Sequence, residues 1–179
     1  ETPALYILRV TVTANGTADT AEQRIGIRTI QVSSKTGLLL NGQPRTMKGG
    51  CIHHDLGILG AADHAAAERR RIRLMKESGF DAIRAAHNPF GPAFLDACDE
   101  LGMLVVEEAF DEWVMGRTSF GLHVTFEQCW EKDLEDMITR DYNHPCIVMW
   151  STGNEVEERD GTADGFAWAK RLADKVRSL

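Results

Sequence analysis

Apolar and polar positions alternate with a period of two near the start of the chain, then recur at helical spacing from residue 65 onward. Tyr6, Leu8, Val10 and Val12 alternate with other residues, Asn15-Gly16 is a tight-turn signal, and residues 24–32 read as a second strand. The pattern predicts a hairpin. Because an isolated hairpin is marginal in water, these residues are expected to be the last two strands of a larger sheet. Asn41-Gly42-Gln43-Pro44 is a second turn signal that separates the hairpin from the rest of the chain.

From Thr46 onward, strand and helix patterns alternate, which predicts a parallel sheet. Residues 47–52 read as a strand ending in His53-His54-Asp55, and residues 65–78 as a helix stopped by Gly79. A second strand over 81–85 ends near His87. It is followed by a helix over 92–101, stopped by Gly102, and a third strand over 103–106 that ends in Glu107-Glu108. Residues 125–142 place Phe126, Trp130, Leu134, Met137 and Ile138 on one helical face. The apolar run 146–150 is a fourth strand, leading through Ser151-Thr152-Gly153 to Asn154-Glu155, and residues 166–176 are a fourth helix. Four β/α units with polar strand tips predict an α/β fold, the first half of a (β/α)8 barrel. The residues from Thr46 onward are about half of the roughly 250 that such barrels need. The outer strands would keep open edges, which two copies could cover as a homodimer.

Composition excludes several classes. Hydrophobic residues make up 43% and charged residues 26%, as in an ordinary globular α/β protein, and no apolar run approaches the roughly 20 residues of a membrane span. A net charge of −7 with scattered Lys and Arg gives no footprint for nucleic acid. Cys51, Cys98, Cys129 and Cys146 are widely spaced within apolar patterns. They are expected to be buried free thiols, which favours a reducing, cytoplasmic location. The sequence opens on Glu1 with no leader pattern after it, so a natural N-terminus with any targeting signal is expected to precede it.

Every strand tip carries groups capable of chemistry: His53, His54 and Asp55; Arg84 and His87; Glu107, Glu108, Asp111 and Glu112; Asn154 and Glu155. Loops at the carboxyl edge of parallel strands are where such folds place function. Taken alone, Glu155 is an ordinary surface glutamate; its place after a wholly apolar strand is what raises it. His144, in Asn143-His144-Pro145, precedes its strand and reads as a turn residue, and His64 as a solvent-facing or capping residue at a helix start. Trp150 reads equally as core and as the floor of a sugar pocket, and the role of His123 stays open. His53, His54, Asp55, His87 and Glu108 could also ligate zinc or manganese, although none stands at a diagnostic spacing. No glycine-rich phosphate loop opens any helix.

Two stretches, DAIRAAHNPFGPAFLDACDELGMLVV (81–106) and DYNHPCIVMWSTGNE (141–155), closely resemble the signature segments of family 2 glycoside hydrolases. That family includes β-galactosidases, β-glucuronidases and β-mannosidases. The likeness extends to Asn41-Gly42, to Lys48-Gly49-Gly50 and to Gly26-Ile27-Arg28-Thr29-Ile30. It implies that residues 1–36 end an immunoglobulin-like sandwich and that residues 37–179 begin a TIM-barrel catalytic domain. By resemblance, Glu155 is the general acid/base, Asn154 contacts the sugar 2-hydroxyl, and Arg84 orients the nucleophile. His54 and His87 line the sugar subsite, while Glu108 and Asp111 belong to the acidic third-strand region beside it.

Asp81, Asn88 and Tyr142 depart from the family's usual Asn, Tyr and basic residue. Val114 stands two residues after Glu112, where some galactosidases of the family carry a histidine that helps hold magnesium. No cofactor is therefore expected; magnesium is the one candidate, and Val114 speaks against it. The nucleophilic glutamate lies on a later strand of the family's barrel. The resemblance implies retaining hydrolysis of a terminal β-galactoside by the parent protein, with glucuronides and then mannosides as alternatives. In that mechanism burial and a paired carboxylate raise the pKa of Glu155. The isolated chain is expected to be inactive, and a non-catalytic sugar-binding or assembly module is the reading from another class.

Overall fold

The computed structural model describes residues 3–179. Strands β1 (Leu5–Ala14) and β2 (Thr17–Gly26) pair antiparallel from Leu5↔Gly26 to Ala14↔Thr17. Asn15 and Gly16, with φ of 50° and 77°, form the turn. Positive φ at both central positions matches the right-handed twist of the strands, and Asn-Gly tolerates it well. The apolar residues of β1, Tyr6, Ile7, Leu8, Val10 and Val12, are exposed.

Residues 24–32 do not form one strand. The long ladder ends at Gly26, and β3 (Ile30–Ser33) starts a separate sheet with β4 (Gly37–Leu40) and β5 (Gln43–Pro44). The intervening stretch is held by the start of the parallel sheet instead: a Cβ at Gly26 would lie 2.6 Å from the Pro145 ring, and Arg28 Nη2 donates to the Ile147 carbonyl at 2.5 Å. Asn41-Gly42, expected to separate two regions, is the turn that joins β4 to β5.

The parallel sheet runs β6 (Gly49–His53), β7 (Ala82–Ala86), β8 (Leu104–Glu108), β9 (Ile147–Ser151), in chain order. Helices α1 (Ala65–Glu77), α2 (Pro92–Leu101) and α3 (Phe126–Asp141) connect these strands, and α4 (Gly165–Ser178) follows the last. Among the described residues β6 and β9 are the edge strands. Pro92 opens α2, where a missing N–H costs nothing, and Gly102 closes it in the left-handed region at φ 69°. His64 starts α1 without a side-chain cap.

Two apolar cores fill the space between sheet and helices. The first gathers Ile72, Ile83, Phe90, Phe94, Leu95 and Val105; the second gathers Phe110, Phe126, Leu134, Ile138, Trp168 and Leu172. Each fully buried side chain of this kind contributes about 1.5–3 kcal/mol. Trp150 packs against both clusters, so it is a core residue. Cys98 and Cys146 are buried free thiols as expected, but Cys51 is exposed and Cys129 half-buried. On the short strand β6, no element among the described residues covers the face that carries Cys51.

The register of β8 against β9 shifts between Val105 and Val106. Val105 pairs with Ile147 and Val106 with Met149, leaving Val148 as the extra residue. A bulge of this kind re-aims the strand end beyond it. Its consequence is that Glu108 faces Ser151.

Candidate active site

The carboxyl edge of the parallel sheet carries one connected polar network. Glu108, at the end of β8, has no exposed side-chain surface, and both of its oxygens are engaged. Its Oε2 accepts from Arg84 Nη2 at 2.6 Å, Arg84 Nε at 3.0 Å and Ser151 Oγ at 2.6 Å, while Oε1 meets His87 Nδ1 at 2.7 Å. A buried carboxylate needs this degree of satisfaction. Burial acts to lower the Arg84 pKa, but the bonds to Glu108 outweigh it and raise the guanidinium above its ordinary value.

Arg84 extends the network to the fourth strand tip. Its Nη2 donates to Asn154 Oδ1 at 3.0 Å, and Asn154 Nδ2 donates to Asp111 Oδ1 at 2.9 Å. These opposite partners fix which way the buried Asn154 amide points. Asp111 is also bound by Arg117 Nη2 at 2.5 Å. Burial pushes the Asp111 carboxyl upward; the bonds from Asn154 and Arg117 prevail and hold it below the usual range. Arg117 Nη1 lies 3.4 Å from Glu155 Oε2.

Glu155 itself adopts φ 43°, a left-handed conformation that a residue with a Cβ occupies at a cost of about 1–2 kcal/mol. Strain of this kind is concentrated at functional sites. Its side chain is 79% exposed, at the rim of an open cleft of about 530 Å³ that His87, Asp111, Arg117 and Asn154 also line. Burial and a paired carboxylate are expectations for the intact enzyme, and within this chain Glu155 has neither. No element among the described residues covers Glu155, and the neighbouring charge is a guanidinium.

The network unites Arg84, His87, Glu108, Asp111, Asn154 and Glu155. It does not include His54, whose ring meets Phe90 edge-on at 5.1 Å with its Nδ1 buried and unbonded. His53 instead approaches His87, ring to ring at 5.1 Å. Glu107 also departs from the strand-tip grouping. Strand alternation turns it toward the helices, where Oε1 accepts from Phe90 N at 3.0 Å and Oε2 is buried without a partner. Burial pushes its pKa up to about 7.

Sequence reasoning missed Ser151 and Arg117 and left His123 without a role. Glu112 organises the third loop: it accepts from Arg117 N at 3.0 Å and from His123 N and Nδ1 at 3.1 Å each. Trp113 Nε1 then ties that loop to the fourth tip through the Thr152 carbonyl at 2.8 Å. These bonds bear on magnesium. With Glu112 committed to its own loop, Val114 packed against the second core and Arg117 beside Glu155, the donor set does not fit a divalent cation.

The zinc or manganese reading of the strand tips fails for a similar reason, because Glu108 is saturated by Arg84, Ser151 and His87. Asp99, His144 and Cys146 do lie within 4.8 Å of one another, on the opposite rim. There, Asp99 already accepts from His144 Nδ1 at 2.6 Å and from Cys146 N at 2.8 Å. His144 thus ties the turn before β9 to α2.

A parallel β/α sheet that gathers Arg, His, Glu and Asn-Glu on its carboxyl edge has the arrangement of the loop face of a (β/α)8 barrel. Residues 30–179 match the TIM barrel domain of glycosyl hydrolases family 2, and the chain belongs to that family. A β-galactosidase of Bacteroides ovatus is 43% identical over 167 residues, which are 92% of this chain and 20% of that protein. The crystal structure of a family 2 member from Bacteroides cellulosilyticus superposes with a TM-score of 0.94 at 43% identity, covering 98% of this chain and 23% of that one. A β-galacturonidase from Eisenbergiella tayi, bound to galacturonate, superposes with a TM-score of 0.84 at 33% identity, covering 98% and 31%. The chain thus spans about a fifth of the length of the β-galactosidase it matches. The four β/α units are part of a TIM barrel.

Proposed function

We propose that the protein to which these residues belong is a retaining glycosidase that cleaves terminal β-D-galactosides, with Glu155 as its acid/base. The observation that carries the reading is the Asn154-Glu155 tip, joined through Arg84 to a saturated Glu108 on the carboxyl edge of the sheet. A protonated Glu155 gives its proton to the leaving glycosidic oxygen while a second carboxylate attacks the anomeric carbon. The resulting carboxylate then takes a proton from water, which displaces the enzyme carboxylate and releases the sugar with its β configuration retained. Glu108 is not that second carboxylate, because Arg84, Ser151 and His87 occupy it. The nucleophile is supplied by a later strand of the complete barrel, so the 179-residue chain alone is inactive.

His87 and Asp111 line the sugar subsite beside Asn154, whose amide faces the 2-hydroxyl, and Arg84 orients the nucleophile. Four cysteines without a disulfide fit a cytoplasmic setting. No helix among the described residues is long and apolar enough to cross a membrane. The likeness to a galacturonate-bound β-galacturonidase supports a second reading, a β-glycosidase for uronic acid sugars. Chromogenic β-galactoside, β-glucuronide, β-galacturonide and β-mannoside substrates separate these readings in the full-length protein. Turnover of the galactoside at least tenfold above the others is expected. Glu155→Gln should lower kcat/KM for an unactivated galactoside by roughly 10²–10⁴-fold; a change of only a few-fold would remove Glu155 from the acid/base role.

A further inference from the structure

The third loop delivers a cation to the acid/base, and the way it is built shows that this placement is specific. Glu112 lies almost wholly buried beneath the loop and collects the Arg117 N–H, the His123 N–H and the His123 ring. Burial acts to raise the Glu112 pKa; these donors prevail and keep it low, so the anchor is a carboxylate. Two glycines make room for it: a Cβ at Gly121 would fall 1.8 Å from Glu112 Oε1, and one at Gly116 would fall 2.0 Å from His123 Nδ1. The Trp113 bond to Thr152 fixes the loop against the segment that carries Glu155.

Arg117 emerges from this anchor with its guanidinium between two acids. Nη2 bonds both the Asp111 carboxylate, at 2.5 Å, and the Asp111 carbonyl, at 2.9 Å, while Nη1 faces Glu155 Oε2 at 3.4 Å. Three donors of a planar fork are thus set on two targets, which a flexible ammonium would not reproduce. The other charged and titratable groups lining this cleft are His87, from the end of β7, and Glu112. Behind Asn154 stands the Arg84–Glu108 pair. Among the described residues, Arg117 is the cation that forms an ion pair with Glu155.

We propose that Arg117 is a positioning residue for Glu155: its guanidinium, fixed on Asp111, holds the Glu155 carboxyl beside Asp111 and Asn154. The assignment rests on Glu155 being the acid/base. A carboxyl held in place reaches the leaving oxygen without reorientation, which supports the step in which Glu155 gives its proton.

The test compares kcat/KM in the full-length protein for phenyl β-galactoside, whose departure needs a proton, and dinitrophenyl β-galactoside, whose departure needs little. For Arg117→Gln, kcat/KM should fall roughly tenfold further for the phenyl than for the dinitrophenyl substrate, part of the 10²–10⁴ a positioned acid supplies. Arg117→Lys should recover only part of the phenyl rate, because a flexible ammonium does not reproduce the planar fork. An equal loss with both substrates, or no loss with either, assigns Arg117 a purely structural role and overturns the proposal. Glu155→Gln is the control that separates the two readings. If it shows the phenyl-selective loss while Arg117→Gln does not, only the role of Arg117 fails; if Glu155→Gln shows no phenyl-selective loss, the acid/base assignment fails and Arg117 falls with it.

Discussion

Arg84 and Glu108 meet across neighbouring strands, with two nitrogens of one guanidinium, Nη2 at 2.6 Å and Nε at 3.0 Å, on the same carboxylate oxygen. Glu108 is fully buried and Arg84 only partly so, which makes the pair asymmetric. Removing the arginine strands a buried charge. Removing the carboxylate frees an arginine that can still reach water.

Arg84→Ala should therefore destabilise the protein more than Glu108→Ala, toward the upper end of the roughly 3–5 kcal/mol typical of a broken buried pair. The double variant should lose less than the sum of the two. Urea denaturation of all four proteins gives the coupling directly. Additive effects would show that the pair contributes geometry to the site without contributing to stability.

Glu107 makes stability depend on pH. Its pKa rises from 4.5 to about 7 on folding because burial disfavours the charged form. The folded state therefore holds a proton that the unfolded chain releases. The contribution is fully present below about pH 4.5 and is lost as pH rises through 7, for a total of up to about 3 kcal/mol. Glu107→Gln should flatten the thermal stability profile across that window and be the more stable form at pH 8. A profile that keeps the wild-type slope would locate the titration elsewhere.

Glu155 combines a left-handed backbone with an exposed side chain. Glu155→Gly should relieve the Cβ strain at little loss of packing and raise stability by up to about 1 kcal/mol, while turnover collapses. Scanning calorimetry beside an activity assay shows whether the two move in opposite directions. A fall in stability would mean that the Arg117 contact outweighs the strain.

Gly121 lies where any side chain meets Glu112. Gly121→Ala should push Glu112 off its three donors, at a cost in the roughly 1–3 kcal/mol range of overpacked sites. Activity should fall with it because Arg117 loses its anchor. Wild-type activity together with wild-type melting would show that the loop can give way locally.

Much of the fold is legible in local pattern. The helix over Pro92–Leu101 follows from proline at its first position and glycine beyond its last, two residues whose backbone limits act without tertiary help. Strand tips at His53, Glu108 and Ser151 follow from apolar runs that end in polar residues. The break after Gly26 was not legible, because what interrupts the ladder is Pro145 and Ile147, more than a hundred residues away. Neither was the separation of Glu107 from Glu108. Adjacent acids look alike in sequence, and strand alternation sends one to the helices and the other to the cleft.

Local sequence is enough for the β/α order, the polar edge and, through the signature segments, the family and the candidacy of Glu155. Short-range propensities and residue type suffice for these, since each is written within a few neighbouring positions. The packed fold was needed to show that Glu108 is a saturated anchor, that His54 turns to Phe90, and that Arg117 is the cation beside Glu155. Each depends on which side chains meet across strands and loops distant in the chain, and on which charges burial allows to stand unpaired.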